Sequence, residues 1–315
     1  MKKHTPFCII CGEKFDGNVK PSKEHIIPKA LGNGKLITYN VCEKCNNDLG
    51  GNVDNYLTDY ILIKIIRKCK VDENTQVFDK RMTDDKGDTY LVKNDKLETM
   101  LDVNSDKASG HITIKASTIE EGLKIARGIL RGQYGKTEDE IDAIFADPDK
   151  FMQKTEAVMP GTFVKETTLD LARFRLAAIK IAYEFAIEKL GESYALDEDA
   201  LILRAYLKAG RDGKREFSDK EAKDICQRCH MTDSFTDTIK SILQNFEQES
   251  NGRKINYFVH IVRDQENKLI CCIRILDENF LAFTVLLSKD ASKYLSESNC
   301  GYCVIILDDG EFFDM

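Results

Sequence analysis

Two Cys-x-x-Cys pairs, Cys8/Cys11 and Cys42/Cys45, bracket the pentapeptide Glu24-His25-Ile26-Ile27-Pro28, and Asn46 follows the last cysteine. A two-residue gap lets both thiolates of one turn reach the same ion, and zinc takes four soft ligands in a tetrahedron. Thirty residues lie between Cys11 and Cys42. That is longer than in a plain zinc ribbon and leaves room for an inserted loop, where Glu24 and His25 lie. Residues 1–55 are glycine-rich, broken by turn residues, and too short to bury a large core alone. A structural Zn2+ shared by Cys8, Cys11, Cys42 and Cys45 is therefore the expected staple.

Between the cysteine pairs stand the groups of a second metal chemistry. Neighbouring side chains on a strand point to opposite faces, so Glu24 can reach a cation while His25 faces an attacking water. Asn46 supplies an amide oxygen, a hard neutral ligand of the kind Mg2+ or Mn2+ accepts. An ion held by one carboxylate and one amide keeps most of its positions open for water and a phosphate.

Three segments carry a family resemblance: Cys8-Ile-Ile-Cys11, Ser22-Lys-Glu-His-Ile-Ile-Pro-Lys-Ala-Leu-Gly32, and Val41-Cys-Glu-Lys-Cys-Asn-Asn-Asp-Leu-Gly50. Together, over roughly residues 7–60, they resemble the cysteine-bearing branch of the HNH endonuclease family. The resemblance implies a ββα-metal finger. It implies His25 as general base, Glu24 and Asn46 as ligands of the catalytic divalent ion, and Asn40 as the middle Asn that braces the loop or orients the His. Glu24 stands where the family more often has Asp. The implied substrate is nucleic acid, foremost double-stranded DNA, cut to leave a 5′ phosphate. Lys23, Lys29, Lys35 and Lys44 are candidate contacts to its backbone. Asp54 could support the site, with capping of the following helix as its expected role.

Composition agrees with this placement. Residues 1–70 hold 12 Lys/Arg and 7 Asp/Glu, whereas the remainder holds 34 and 46. The front of the chain leans positive against an acidic body, which suits contact with a polyanion. Eleven cysteines form an odd count. Without an apolar signal segment at the start, they read as metal-bound and free thiols of a reducing cytoplasm. No apolar run reaches the roughly 18 residues needed to cross a bilayer.

The expected fold class is α+β: an HNH module over residues 1–70, then a mixed helical and antiparallel-sheet body over 71–315. The body is expected to position DNA, to dimerise or to take a regulatory partner. A strand is expected over 36–42. A helix is expected over 55–70, with Leu57, Tyr60, Ile61, Ile65 and Cys69 facing inward. Strands at 76–81, 89–93, 96–102 and 111–116 precede helices at 118–134 and 137–145. The strongest helix is 169–190, with Leu171, Phe174, Ala178, Ile181, Ala182 and Phe185 on one stripe. Helices at 197–209 and 236–249 and strands at 256–262, 269–276, 280–287 and 302–307 complete the chain.

Weaker signals remain. Cys226/Cys229 with His230 has haem-attachment spacing, but no export signal accompanies it. With Cys300/Cys303 this pair could bind a second zinc, although unpaired thiols fit a reducing compartment better. Cys271 and Cys272 read as small hydrophobes in a strand, His111 and His260 as strand residues, and Asp84, Asp85 and Asp88 as a solvated turn. Two other functions stay open: a zinc-dependent nucleic-acid-binding module without catalysis, and a phage-defence or toxin nuclease active only with a partner or ligand.

Overall fold

The chain's strongest helical pattern lies at its centre. In the computed structural model, helix Leu171–Leu190 starts from an Asp170 cap and stops at Gly191. Seventeen of its 20 residues are buried, so its neighbours cover it on every side. The apolar stripe is accordingly wider than its periodicity suggests. Leu171, expected on that stripe, is 48% exposed because it sits in the first turn, ahead of the packed region. The structure describes all residues except 1–3, 33, 94–95, 107, 153, 155–159, 165–168, 214–215, 232–242, 245, 247, 249–252 and 297–300.

Around this helix, in chain order, the first elements are β1 (Pro21–His25), β2 (Ile37–Cys42), α1 (Glu43–Leu49), α2 (Asn55–Thr58) and α3 (Ile61–Lys70). The expected single helix over 55–70 is broken. Tyr60 adopts an extended conformation and restarts the helix at Ile61, which resets the helical phase. Leu57 and Ile63 are therefore buried, while Ile65 and Cys69, expected inward, are exposed.

The next elements are β3 (Arg81–Thr83), β4 (Thr89–Lys93), β5 (Lys96–Thr99), β6 (Asp102–Asp106), β7 (His111–Lys115), α4 (Ile119–Tyr134) and α5 (Glu138–Ala146). Strands β3-β4-β5 form one antiparallel sheet, and β6-β7 form a hairpin. The strand expected at 76–81 lies instead at 81–83, because pairing with β4 is set by the intervening Asp84–Asp88 turn. Asp84 is buried, contrary to the solvated turn expected there. Its carboxylate accepts from the amides of Lys86, Asp88 and Gly161.

The long helix is α6. It is followed by α7 (Glu192–Ala195), α8 (Glu198–Arg211), α9 (Asp219–Arg228), β8 (Cys229–Met231), β9 (Ile255–Arg263), β10 (Leu269–Ile275), β11 (Ala282–Ser288), β12 (Gly301–Leu307) and β13 (Phe312–Asp314). The helix expected at 236–249 lies mostly outside the described residues, as does Cys300. The last six strands form one antiparallel sheet in the order β13-β12-β9-β10-β11-β8. Its residues divide with period two: Tyr257, Val259 and Ile261 of β9 join the core around α6, and Phe258 joins a second cluster with Cys272, Ala282 and Ile305. The expected strand over 280–287 begins at Ala282, because Asn279–Leu281 form a short 3-10 turn. Cys229 and Cys303 lie on strands separated by three others, roughly 19 Å apart at ordinary strand spacing. They cannot share one ion, which removes the second zinc in the form expected. Among the described residues, no helix is long and apolar enough to cross a membrane.

Two compact units result: residues 1–75 with 168–315, and residues 76–167. In the first, Cys8, Ile9, Ile26, Ile27, Val41 and Leu49 share one hydrophobic core with α6, α8 and the large sheet. The fold is α+β, with the cysteine-bearing segment built into the larger core.

His260 yields a stability prediction. Its Nδ1 is buried without a hydrogen-bond partner among the described residues, and burial pushes its pKa down to about 4. Between that value and the unfolded value near 6.5, only the unfolded chain binds the extra proton, so stability falls as pH drops through this window. In urea titrations from pH 7 to pH 5, His260→Leu is expected to lose about 2 kcal/mol less stability than the wild type. Parallel pH dependence in the two proteins would refute this.

Candidate active site and metal centre

The cysteine quartet is assembled by two turns that approach each other across β2. The first knuckle closes through Gly12 N–H to the Cys8 carbonyl, and Ile9 N–H donates to the Asn40 carbonyl on β2. Gly12 has φ +83°, and a β-carbon there would collide with the Arg204 guanidinium. The second pair straddles the start of α1, where the Cys42 sulfur caps the helix by accepting from Cys45 N–H at 3.5 Å. The four sulfurs all lie within 4.8 Å of one another. Cys11 and Cys42 are 3.9 Å apart, close to the about 3.8 Å that a tetrahedral zinc–thiolate site requires. These residues fit a zinc ion.

Residues far along the chain support the quartet, and sequence reasoning missed them. Arg211 of α8 donates to the Cys45 sulfur at 3.2 Å. Arg204 donates to the Ile10 carbonyl at 3.2 Å, and Tyr183 of α6 to the Ile9 carbonyl at 2.9 Å. A zinc ion with four thiolates carries a net −2, so the Arg211 guanidinium is well placed to offset it. Beside the quartet opens a cleft of about 770 Å³, whose lining includes Lys20, Lys44, Lys208 and Arg211 with Glu13 and Glu43.

Strands β1 and β2 pair antiparallel, with Glu24 opposite Thr38 and His25 opposite Ile37, and an irregularity between Ser22 and Glu24. Helix α1 returns against β1. Its Asn46 amide nitrogen donates to the Lys23 carbonyl at 2.9 Å and to the Ser22 hydroxyl at 3.1 Å. This holds Asn46 beside the Glu24–His25 segment and leaves its Oδ1 as the atom able to hold a cation. The observed order is strand, strand, helix, with the three candidate residues on β1 and α1.

His25 is partly exposed. Its Nδ1 is buried without a hydrogen-bond partner among the described residues. Burial first, then the charges of Lys23, Lys29 and Lys180, lower its pKa below the usual histidine value. This shift favours the neutral form of the imidazole. Glu24 is 3% exposed, and its carboxylate meets the ammonium of Lys180, a residue of α6 that is wholly buried. Asp54 ends a π-helical turn, Gly50–Asp54, that continues α1. It makes no side-chain cap to α2, contrary to expectation, because its carboxylate is drawn to Lys180 at 3.1 Å. Burial raises Asp54 to about 6 and Glu184, on the next turn of α6, well above the usual carboxylate range.

Asn40 is fully buried. Its side-chain oxygen accepts from Thr5 N–H at 2.8 Å, and its amide nitrogen donates to Thr38 at 3.0 Å and Glu188 at 3.5 Å. These contacts brace the N-terminal segment against β2 and α6. Lys23, Lys29 and Lys44 are exposed, and Lys35 donates to the Gly310 carbonyl.

This arrangement of a ββ hairpin, a helix and a cysteine quartet has a counterpart among known families. Residues 8–62 match the HNH endonuclease family. No curated protein and no solved structure matches the chain. The HNH segment begins at the first cysteine and ends in α3, so it takes in the quartet, β1, β2, α1 and Asp54. Lys180, Tyr183, Arg204 and Arg211 lie outside it. The signal that could have exposed Lys180 and Glu184 was present: two opposite charges at i, i+4 in the middle of a helix rich in apolar residues.

Cys42→Ala removes both one sulfur of the quartet and the cap of α1. The variant is expected to purify with well under one zinc per chain by elemental analysis, and to melt below the wild type. Chelation of the wild type should lower its melting temperature likewise; an unchanged melt after complete zinc removal would count against a structural ion.

Proposed function

We propose that the protein is a metal-dependent HNH endonuclease that hydrolyses phosphodiester bonds of DNA. The observation that carries this reading is the tie between α1 and β1: Asn46 donates to the Lys23 carbonyl, beside the Glu24–His25 pair. General base, carboxylate and amide then belong to one ββα unit, and residues 8–62 match the HNH family.

In this reading His25, held neutral by burial and by nearby lysines, takes a proton from a water in line with the scissile phosphate. Glu24 and Asn46 hold Mg2+ or Mn2+. Asn46 Oδ1 is the free end of its amide, and one Glu24 oxygen is engaged by Lys180. When bound, the divalent cation supplies positive charge to the crowded phosphate and the departing 3′ oxygen. The product then keeps a 5′ phosphate. Cys8, Cys11, Cys42 and Cys45 hold a structural Zn2+ that fixes the start of α1 and therefore Asn46. Asn40 braces the hairpin. Lys23, Lys29, Lys35 and Lys44 meet the DNA backbone without reading sequence. Residues 1–70 carry the chemistry as a nuclease module, and residues 71–315 position or regulate it.

Supercoiled plasmid incubated with the purified protein should be nicked or linearised with Mg2+ or Mn2+ and stay intact with chelator. His25→Ala should slow cleavage by about a hundredfold or more while keeping one zinc per chain. Cleavage by that variant at the wild-type rate would end the assignment of His25.

A further inference from the structure

We propose that Lys180 is a positioning residue for the Glu24–His25 pair, fastening both residues to α6 and so fixing where the carboxylate and the imidazole stand. The inference rests on the nuclease reading above. Lys180 is wholly buried and reaches three groups: the Glu24 carboxylate, the His25 carbonyl at 3.1 Å, and the Asp54 carboxylate at 3.1 Å. An ammonium has three N–H donors, so all three are spent within this cluster. Glu184 lies at 3.6 Å as a further carboxyl neighbour.

The division of these contacts makes the lysine more than a neutralising ion. A charge needed only to balance buried carboxylates would be satisfied by Glu24, Asp54 and Glu184 alone. Lys180 spends one donor on the main chain of His25, the atoms from which the imidazole hangs. Another goes to one oxygen of Glu24, which limits the carboxylate to offering its other oxygen to a cation. Two adjacent residues tied to one buried point cannot turn independently. Catalytic groups held by a buried neighbour keep their geometry where a free loop would not. Lys180 is the cation of the cluster and acts through Glu24 and His25 without touching a reacting atom.

The test compares the full-length, zinc-loaded wild type with Lys180→Met/Asp54→Asn/Glu184→Gln. This triple variant removes the ammonium together with the two carboxylates beyond Glu24, so Glu24 is the one carboxylate of the cluster that loses its partner. Lys180→Arg, which keeps the charge but changes its reach, is the second variant. Three quantities are read: Mn2+ affinity by paramagnetic resonance of the free ion, plasmid nicking at saturating Mn2+, and the imidazole resonance of His25, assigned with His25→Ala. The triple variant is expected to keep its zinc and its cooperative melt, to bind Mn2+ about tenfold or more weakly, to nick correspondingly slower, and to show a displaced His25 resonance. Lys180→Arg should fall between the two. A folded triple variant with wild-type Mn2+ affinity and an unmoved His25 resonance overturns the proposal; if the triple variant does not fold, the same result in Lys180→Arg overturns it. A wild type that neither binds Mn2+ nor nicks DNA overturns the nuclease reading instead, and the tether is then decided by the His25 resonance alone.

Discussion

The first compact unit is organised around one buried ammonium. Taking an unpaired lysine out of water costs several kcal/mol even after the surroundings relax. Lys180 is tolerated at the centre of α6 because Glu24, Asp54 and Glu184 converge on it. The dependence runs both ways, since Glu24 and Asp54 are themselves buried and would be costly without it. Glu24 is 156 residues from Lys180 in the chain, and Asp54 is 126. The cluster therefore closes only when the N-terminal hairpin is seated on α6. A short, glycine-rich segment with little core of its own thereby acquires a defined seat.

The cysteine quartet solves a different problem. It draws the first knuckle to the start of α1, and with it Asn46, but it says little about how β1 faces the rest of the molecule. That orientation comes from α6 and α8. Tyr183 and Arg204 hold the carbonyls of Ile9 and Ile10, Arg211 meets the Cys45 sulfur, and Lys180 holds β1 at Glu24 and His25. The cysteine quartet and a buried ion cluster thus lie on the two sides of the same hairpin.

What could be read in advance follows from the range of the interactions. The Cys-x-x-Cys spacing and the strand into Cys42 both depend on residues close in sequence. Their chemistry is visible in a line of letters. The Asp84 turn was legible as a turn but not as a buried one, because the Gly161 amide that fills it lies 77 residues away. The break at Tyr60 was hidden because nothing in the local pattern forbids a helix there. Lys180 and Glu184 were passed over for a related reason. Periodicity weighs where apolar residues fall and is silent on what a charge inside an apolar helix must be paired with.

That silence has a physical meaning for the site. The family match covers one continuous segment, residues 8–62. Geometry is a separate requirement. The backbone beneath His25 and the carboxylate beside it are set by a helix that the motif does not include. Two chains could therefore share every motif residue and still differ in how well those residues are held, because the holding is done by whatever helix is packed beneath them. Here the side chains beneath the segment include Lys180, Tyr183, Arg204 and Arg211, all beyond residue 62.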